Sequence, residues 1–312
     1  MTIRVWLELV EARTKLASIL PGLIGLSFAW VYYGRLDVLN SAVFFVAMLV
    51  FDMTTTAINN LMDYRKAQSA HYVDHTNVIG KYHLDARLVA WMILGMLAAA
   101  AGLGLYLVVR TSWVLLLLGG ACFVIGICYT FGPLPLNRLP LGEVFSGVTM
   151  GLGIPLIAVF VNPNDLFSMH LAWPNITGRG DWQALAALGL VCITPMATIA
   201  NIMLANNLSD IEEDLANHRT TLPMYLSHRQ GLWLHQALAY GGYASILVIV
   251  IWHQAAWPLL LTWLGLPFVI RATKRFVAVQ DKRKTFKTAI INLVIENAAL
   301  VIGLLATKGG WQ

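Results

Sequence analysis

The sequence predicts an all-α, polytopic membrane protein of about nine transmembrane helices around a central cavity, with an internal two-fold repeat. Three observations carry that expectation. Of the 312 residues 58% are hydrophobic and 12% charged, and the mean hydropathy is +0.68, whereas soluble domains carry roughly 25% charged residues. Apolar runs that meet the requirement of roughly 20 residues per crossing recur along the whole chain. The pattern Asn-Asn-Leu-x-Asp occurs at Asn59–Asp63 and again 147 residues later at Asn206–Asp210, each time closing an apolar run.

The spans fall in order near 16–33, 39–62, 88–109, 112–131, 143–161, 184–207, 231–252, 256–272 and 287–306. The first follows a mixed-charge start (Arg4, Glu8, Glu11, Arg13, Lys15) without a convincing cleavage site, and so reads as a retained helix rather than a signal peptide. Gly231 to Ile270 contains no charged residue and is too long for one helix; His253-Gln254 and Trp257-Pro258 supply its turn. Glycines inside the spans (Gly95, Gly102, Gly104; Gly119, Gly120, Gly126; Gly147, Gly151, Gly153) fit close helix packing in lipid. The chain is one domain, 1–312, with repeat halves at roughly 1–140 and 141–272 and a ninth helix at 287–306.

Orientation follows from the basic residues. Seventeen of the 21 Lys and Arg lie on the N-terminal side of the membrane, leaving Arg35, Arg110, Arg179 and Lys308 on the other. The positive-inside rule puts the N-terminus and both motifs in the cytoplasm and the C-terminus outside, in a cell membrane. The net charge of +5 therefore reflects topology, and no basic-aromatic surface for nucleic acid is present. Cys122, Cys128 and Cys192 lie within spans without a Cys-x-x-Cys pair, as buried small side chains rather than ligands.

Candidate chemistry concentrates where the sixth span reaches water. Trp182 to Ser209 is free of charge, and then Asp210, Glu212, Glu213 and Asp214 follow. If the helix continues, Asn206, Asp210 and Asp214 share one face at i, i+4 and i+8. Two carboxylates one turn apart repel unless a cation joins them. Oxygen-only ligands suit Mg²⁺, which takes one or two carboxylates and completes its shell with substrate phosphates. A solvated acidic cap is the plainer alternative; the second copy at Asn59, Asn60 and Asp63 favours two motifs facing one cavity from two halves.

Elsewhere, the loop after the second span mixes acids with Lys66 and Lys81, which are suited to neutralising phosphate. Zinc on His71, His75 and Asp74 is disfavoured because spacing fixes no third conventional ligand. Asp52, inside the second span, shares a stripe with Thr56, Asn60 (or Asn59) and Asp63; it lines the polar cavity or bonds a neighbouring helix. The same question attaches to Glu296, a turn from Asn292. Tyr129 to Glu143, with three prolines and two glycines, is a rigid bend.

On these residues the chain resembles the UbiA-type intramembrane aromatic prenyltransferases, in particular their 1,4-dihydroxy-2-naphthoate branch. The likeness rests on the Arg13/Lys15 entry, Asn59–Asp63, the Tyr129-Thr-x-Gly-Pro-x-Pro-Leu to Gly142-Glu143 segment and, most specifically, Asn206 to Leu222. The first motif departs from the family pattern: Asn60 replaces an Asp, and Ala67 and Ser69 stand where a further acid is expected. An Asp at 60 would fall i, i+3 from Asp63, which makes Asn60→Asp an expected tolerated change. The resemblance implies nine helices around a cavity open to the cytoplasm. It also implies transfer of a polyprenyl group from polyprenyl diphosphate to 1,4-dihydroxy-2-naphthoate with loss of CO₂, giving demethylmenaquinol. Asp63, Asp210 and Asp214 would be the catalytic acids and Mg²⁺ ligands. Lys66, Lys81, Arg219, Arg13, Lys15 and Arg138 would bind diphosphate, and Asn59, Asn60, Asp52, Tyr129, Asn206 and Asn207 would line the cavity. Another aromatic acceptor, such as 4-hydroxybenzoate or haem, is the near alternative. A secondary transporter built on moving repeats is the rival of a different class, and the gathering of polar groups at one face argues against it.

Overall fold

Hydrophobic runs become helices here because lipid leaves every backbone N–H and C=O to be satisfied within the chain. The computed structural model describes residues 1–67, 70–132, 135–172, 175–216 and 219–307; the side chains of Arg13 and of residues 70–72, 170–172, 175, 176 and 216 fall outside that description. In chain order the helices are α1 (Ile3–Leu9), α2 (Leu16–Tyr33), α3 (Val38–Lys66), α4 (Ala70–His75), α5 (Val78–Lys81), α6 (Ala86–Arg110) and α7 (Val114–Thr130). They continue as α8 (Gly142–Val148), α9 (Ile154–Phe160), α10 (Trp182–Ser209), α11 (Ile211–Ala216), α12 (His228–Trp252), α13 (Leu266–Ala278) and α14 (Lys287–Ala306).

Eight of the predicted crossings are helices long and apolar enough to span a membrane, and α7, at 17 residues, is the shorter ninth. The fifth crossing is α8 and α9 joined by a π-turn at Thr149–Gly153, and Pro155, which has no N–H to donate, opens α9. The eighth is a tightly wound segment, Gln254–Gly265, that runs straight into α13.

Polar caps start several crossings, as they must where the first N–H groups lack partners. Asp37 accepts from Asn40 N at 2.9 Å for α3, Asp85 from Arg87 N at 2.8 Å for α6, and Asp181 from Ala184 N at 2.9 Å for α10. Ser227 and Gln230 form a reciprocal capping box on α12.

Packing is closest where glycine permits it. A Cβ on Gly25 of α2 would come within 2.5 Å of Pro155 O on α9, and one on Gly242 of α12 within 2.7 Å of Thr194 Oγ1 on α10. The expected packing role holds for Gly126, Gly147, Gly151 and Gly153. It fails for Gly95, Gly102, Gly104, Gly119 and Gly120, where an added Cβ would meet nothing within 4 Å.

The main apolar core joins α2, α9, α10, α12 and α14 toward the end of the bundle opposite the motifs. That end is closed by Arg110 to Asp37 (3.4 Å) and by Asn40 Nδ2 to Val161 O (3.0 Å). An antiparallel hairpin absent from the sequence reading, β1 (Phe167–Ala172) with β2 (Asn175–Gly180), also sits there, pairing Phe167 with Gly180 and His170 with Thr177. Trp113 Nε1 donates to Met169 O at 3.1 Å and pins it to the bundle.

Candidate active site

Alternating crossings bring the starts of α2, α6, α8, α12 and α14 to one end of the bundle, together with the ends of α3, α7, α10 and α13. Both Asn-Asn-Leu-x-Asp motifs are there. Asn59–Asp63 lies in the last turns of α3, and Asn206–Ser209 closes α10. The expected unbroken acidic stripe is interrupted: Asp210 is the C-cap of α10, with φ −115° and ψ 14°, and α11 restarts at Ile211. The i, i+4 relation survives nonetheless, because Asp214 N donates to Asp210 O at 2.8 Å.

Both acids are sheltered, Asp210 at 9% exposure and Asp214 at 3%. Asp214 is held by Arg219 Nε at 3.4 Å and by the Thr221 hydroxyl at 3.3 Å. Burial pushes its carboxyl above the ordinary range, with the neighbouring Asp210 adding to the rise and Arg219, Thr221 and Lys282 opposing it. Asp210 Oδ2 accepts from Lys282 Nζ, which comes from the loop between α13 and α14.

The first motif lies within electrostatic reach of the same cations. Arg219, Arg138, Lys66 and Lys282 all act on the charge of Asp63. The segments are stitched together by Asn137 Nδ2 to Asn59 Oδ1 (3.3 Å), Arg219 Nη2 to Asn137 O (3.4 Å) and Thr220 N to Arg138 O (3.1 Å). Asn60 is occupied otherwise: its amide donates to Leu9 O at 3.0 Å and Thr56 O at 3.3 Å, tying α3 to the N-terminal segment. Asn207 Nδ2 donates to Glu143 Oε1 at 2.8 Å. Tyr129 is half-buried near Glu143, its hydroxyl oxygen shielded against Gly142.

Two expected diphosphate ligands are committed elsewhere. Lys15 Nζ, 4% exposed, bonds Asp52 Oδ1 (2.8 Å), Asp52 O (3.2 Å) and Thr56 Oγ1 (2.7 Å), and Ser18 Oγ donates to Asp52 Oδ2 at 2.6 Å. Asp52 is thus a helix-to-helix partner for α2. Lys81 Nζ pairs with Glu8 at 2.6 Å on the surface, and the Tyr82 hydroxyl bonds the same carboxylate at 2.8 Å. The side chains of Arg13 and His71, and residues Ser69, Pro133, Leu134, Asn217 and His218, lie outside the described residues.

Among the described residues no three of His, Cys, Asp and Glu converge into a metal cluster. The donor set still fits Mg²⁺. Asp210 and Asp214 are oxygen donors one turn apart, each with a basic side chain already drawn to it, and Mg²⁺ ordinarily uses one or two carboxylates plus substrate phosphate rather than a protein cage.

A comparison of the sequence with protein-family models matches residues 18–294 to the UbiA prenyltransferase family. The chain belongs to that family. It is therefore a multi-pass membrane prenyltransferase, and the transporter reading falls away. It is 28% identical over 271 residues to 1,4-dihydroxy-2-naphthoate octaprenyltransferase of Bacillus subtilis (86% of this chain, 81% of that protein). It is 23% identical over 324 residues to 2-carboxy-1,4-naphthoquinone phytyltransferase of Synechocystis (99% and 94%). The fold matches that of a UbiA homologue from Archaeoglobus fulgidus solved with DMAPP and Mg²⁺, at a TM-score of 0.64 and 11% identity over 96% of this chain and 99% of that one.

Lys282 is the site residue that sequence reasoning missed in this UbiA-family chain. Seven Lys and Arg follow the eighth predicted span, and no local pattern distinguishes the one that turns inward.

Proposed function

We propose that this protein transfers a polyprenyl group from a polyprenyl diphosphate to 1,4-dihydroxy-2-naphthoate with loss of CO₂, giving demethylmenaquinol, in a Mg²⁺-dependent reaction. The observation that carries the reading is the pairing of Asp214 with Arg219 and of Asp210 with Lys282 at one end of a UbiA bundle, with Asp63 of the first motif within electrostatic reach of the same two cations. The naphthoate-directed activities of two relatives, and the naphthoate-like run from Asn206 to Leu222, support the acceptor.

The chemistry suits these residues. Asp210 and Asp214, with Asp63 of the first motif nearby in the bundle, would hold Mg²⁺, which would supply neutralisation of the charge on the leaving diphosphate. Arg219, Arg138 and Lys66 bind and orient that diphosphate, and the apolar helices keep water from the allylic carbon. The acceptor ring carbon bonds to the allylic carbon as the diphosphate departs with the C–O pair. The carboxylate leaves as CO₂, and its bonding pair restores the ring. The N-terminus and the motif end of the bundle face the cytoplasm, in keeping with the 17 Lys and Arg of that side.

The test is incubation of the purified protein with Mg²⁺, a polyprenyl diphosphate and a panel of aromatic acids, read by mass spectrometry. The expected product is the decarboxylated prenyl naphthalenediol, formed with Mg²⁺ and absent in excess EDTA. Prenylation of 4-hydroxybenzoate or haem instead would replace the acceptor, and undiminished transfer in EDTA would overturn the metal role.

A further inference from the structure

Lys282 is not an ordinary surface lysine. It lies between α13 and α14 in a loop with its own hydrogen-bonded frame. Asp281 Oδ1 accepts from Arg283 N and Lys284 N at 2.8 Å each, and Asp281 O from Thr285 N (2.9 Å) and Phe286 N (3.0 Å). The Thr285 hydroxyl accepts from Asp281 N at 2.9 Å and donates to Val279 O at 2.8 Å, while Gln280 Nε2 donates to Phe276 O and Val277 O. That frame holds the segment in one shape, so less side-chain freedom is lost when the ammonium seats on Asp210.

Its position is equally specific. Lys282 Nζ bonds Asp210 Oδ2 and also acts on the charges of Asp214, Asp63 and Glu11. One cation from the last loop therefore bonds one acid of the proposed metal site, and its charge reaches the other two. Its side chain is 52% exposed against 9% for Asp210, so it can leave while the carboxylate stays.

We infer that Lys282 is a tethered counter-ion of the second acidic motif, holding Asp210 until the metal-bound diphosphate arrives and then pairing with the diphosphate. This rests on the reading of Asp210 as a metal ligand. Metal and ammonium draw on the same carboxylate charge, so metal entering alone binds against the repulsion and competition of the lysine. Metal entering with diphosphate supplies the displaced ammonium with a new anion. The consequence is coupled loading: weak metal binding without the donor and stronger binding with it.

The test uses the full-length protein in detergent, with Mn²⁺ as the probe. Free Mn²⁺ is followed by electron paramagnetic resonance in the absence of any diphosphate, for the wild type, Lys282→Ala, Lys282→Gln, Lys282→Arg and Asp210→Asn. Lys282→Ala and Lys282→Gln should bind Mn²⁺ about fivefold more tightly, the scale set by losing a half-exposed ion pair. Steady-state assays of the same two variants should show the KM for polyprenyl diphosphate raised about tenfold, as expected when one charge-assisted contact is lost. Lys282→Arg should stay near wild type in both measurements, and thermal melting of each variant confirms folding. A purely structural lysine would not tighten Mn²⁺ when removed. Unchanged Mn²⁺ affinity in both neutral variants, alongside weakened binding in Asp210→Asn, overturns the inference and leaves the metal site standing. Unchanged affinity in Asp210→Asn overturns the metal site itself.

Discussion

Asn207 Nδ2 donates to Glu143 Oε1 across 2.8 Å, joining the end of α10 to the first turn of α8 with both residues at 3% exposure. The second oxygen of Glu143 has no hydrogen-bond partner among the described residues, so the amide is the donor that steadies a buried carboxyl. Asn207→Ala should destabilise the protein by about 2–3 kcal/mol, the scale of a lost hydrogen bond to a charged group. Adding Glu143→Gln should restore much of that loss, because no charge is then stranded. Thermal melting of the two single variants and the double variant decides it. Additive losses would mean that the contact is incidental.

Lys15 and Asp52 predict a stronger effect of the same kind. The ammonium has three N–H groups, and its contacts to Asp52 Oδ1, Asp52 O and Thr56 Oγ1 use all three. Asp52→Ala would strand a buried cation, and removing one partner of such a pair costs about 3–5 kcal/mol. Lys15→Met with Asp52→Leu should cost much less than the sum of the single changes. A double-mutant cycle on melting temperatures tests this. If instead Lys15→Met folds normally and raises the diphosphate KM, the lysine leaves Asp52 to bind substrate.

These contacts also mark what the sequence could reveal. The nine crossings were legible because lipid enforces length and apolarity, and α14 at Lys287–Ala306 coincides with the predicted 287–306. Both motifs were legible because charge reappears where an apolar run ends. The break at Asp210 was not, since a carboxylate can cap a helix or continue it with the same spacing. Nor was the hairpin at 167–180: Phe167, Met169 and Leu171 alternate with Ser168 and His170, but so short a run does not stand out in a span-rich chain. Pairings such as Lys282 with Asp210, 72 residues apart, or Lys81 with Glu8, 73 apart, depend on which loops the bundle brings together.

The surface latch of α1 makes a pH-dependent prediction. Hydrogen bonds from Lys81 and then Tyr82 hold the Glu8 carboxyl below its ordinary value, and Glu8 in turn raises Lys81. A depressed carboxyl contributes stability above its unfolded value of about 4.5 and loses it as pH falls through the lower folded value. For the raised lysine, the contribution is complete below about 10.5 and fades as pH climbs through the higher folded value. Glu8→Gln and Lys81→Met should therefore give equal, small, non-additive losses near neutral pH, fading in high salt. Neither should change the diphosphate KM. A raised KM in Lys81→Met alone would return that lysine to the substrate site.

The proposed orientation is checked by a reporter. Fused before Met1, a reporter active only in the cytoplasm should work, and fused after Gln312 it should not. The basis is the 17-to-4 partition of Lys and Arg between the two sides. Cytoplasmic activity at both ends would require an even number of crossings.

The two motifs should contribute unequally to catalysis. Asp210 and Asp214 stand one turn apart, whereas Asp63 has Asn60 and Ala67 where further acids could lie. Asp210→Asn should lower the single-turnover rate at least about a hundredfold, roughly 3 kcal/mol of transition-state stabilisation, and Asp63→Asn should cost less. The structure reverses the expectation for Asn60→Asp. The Asn60 amide donates to Leu9 O and Thr56 O, so an ionised carboxylate there would face two carbonyl oxygens and lose both bonds. That change should lower stability by about 1–3 kcal/mol and give no gain in Mg²⁺ affinity. Single-turnover rates across a Mg²⁺ titration, with melting curves for each variant, separate the effects. A wild-type rate and Mg²⁺ dependence in Asp210→Asn would reduce the acidic stripe to a helix cap. A stable, tighter-binding Asn60→Asp would show instead that the amide bonds at Leu9 and Thr56 are dispensable and that the first motif lacks only its acid.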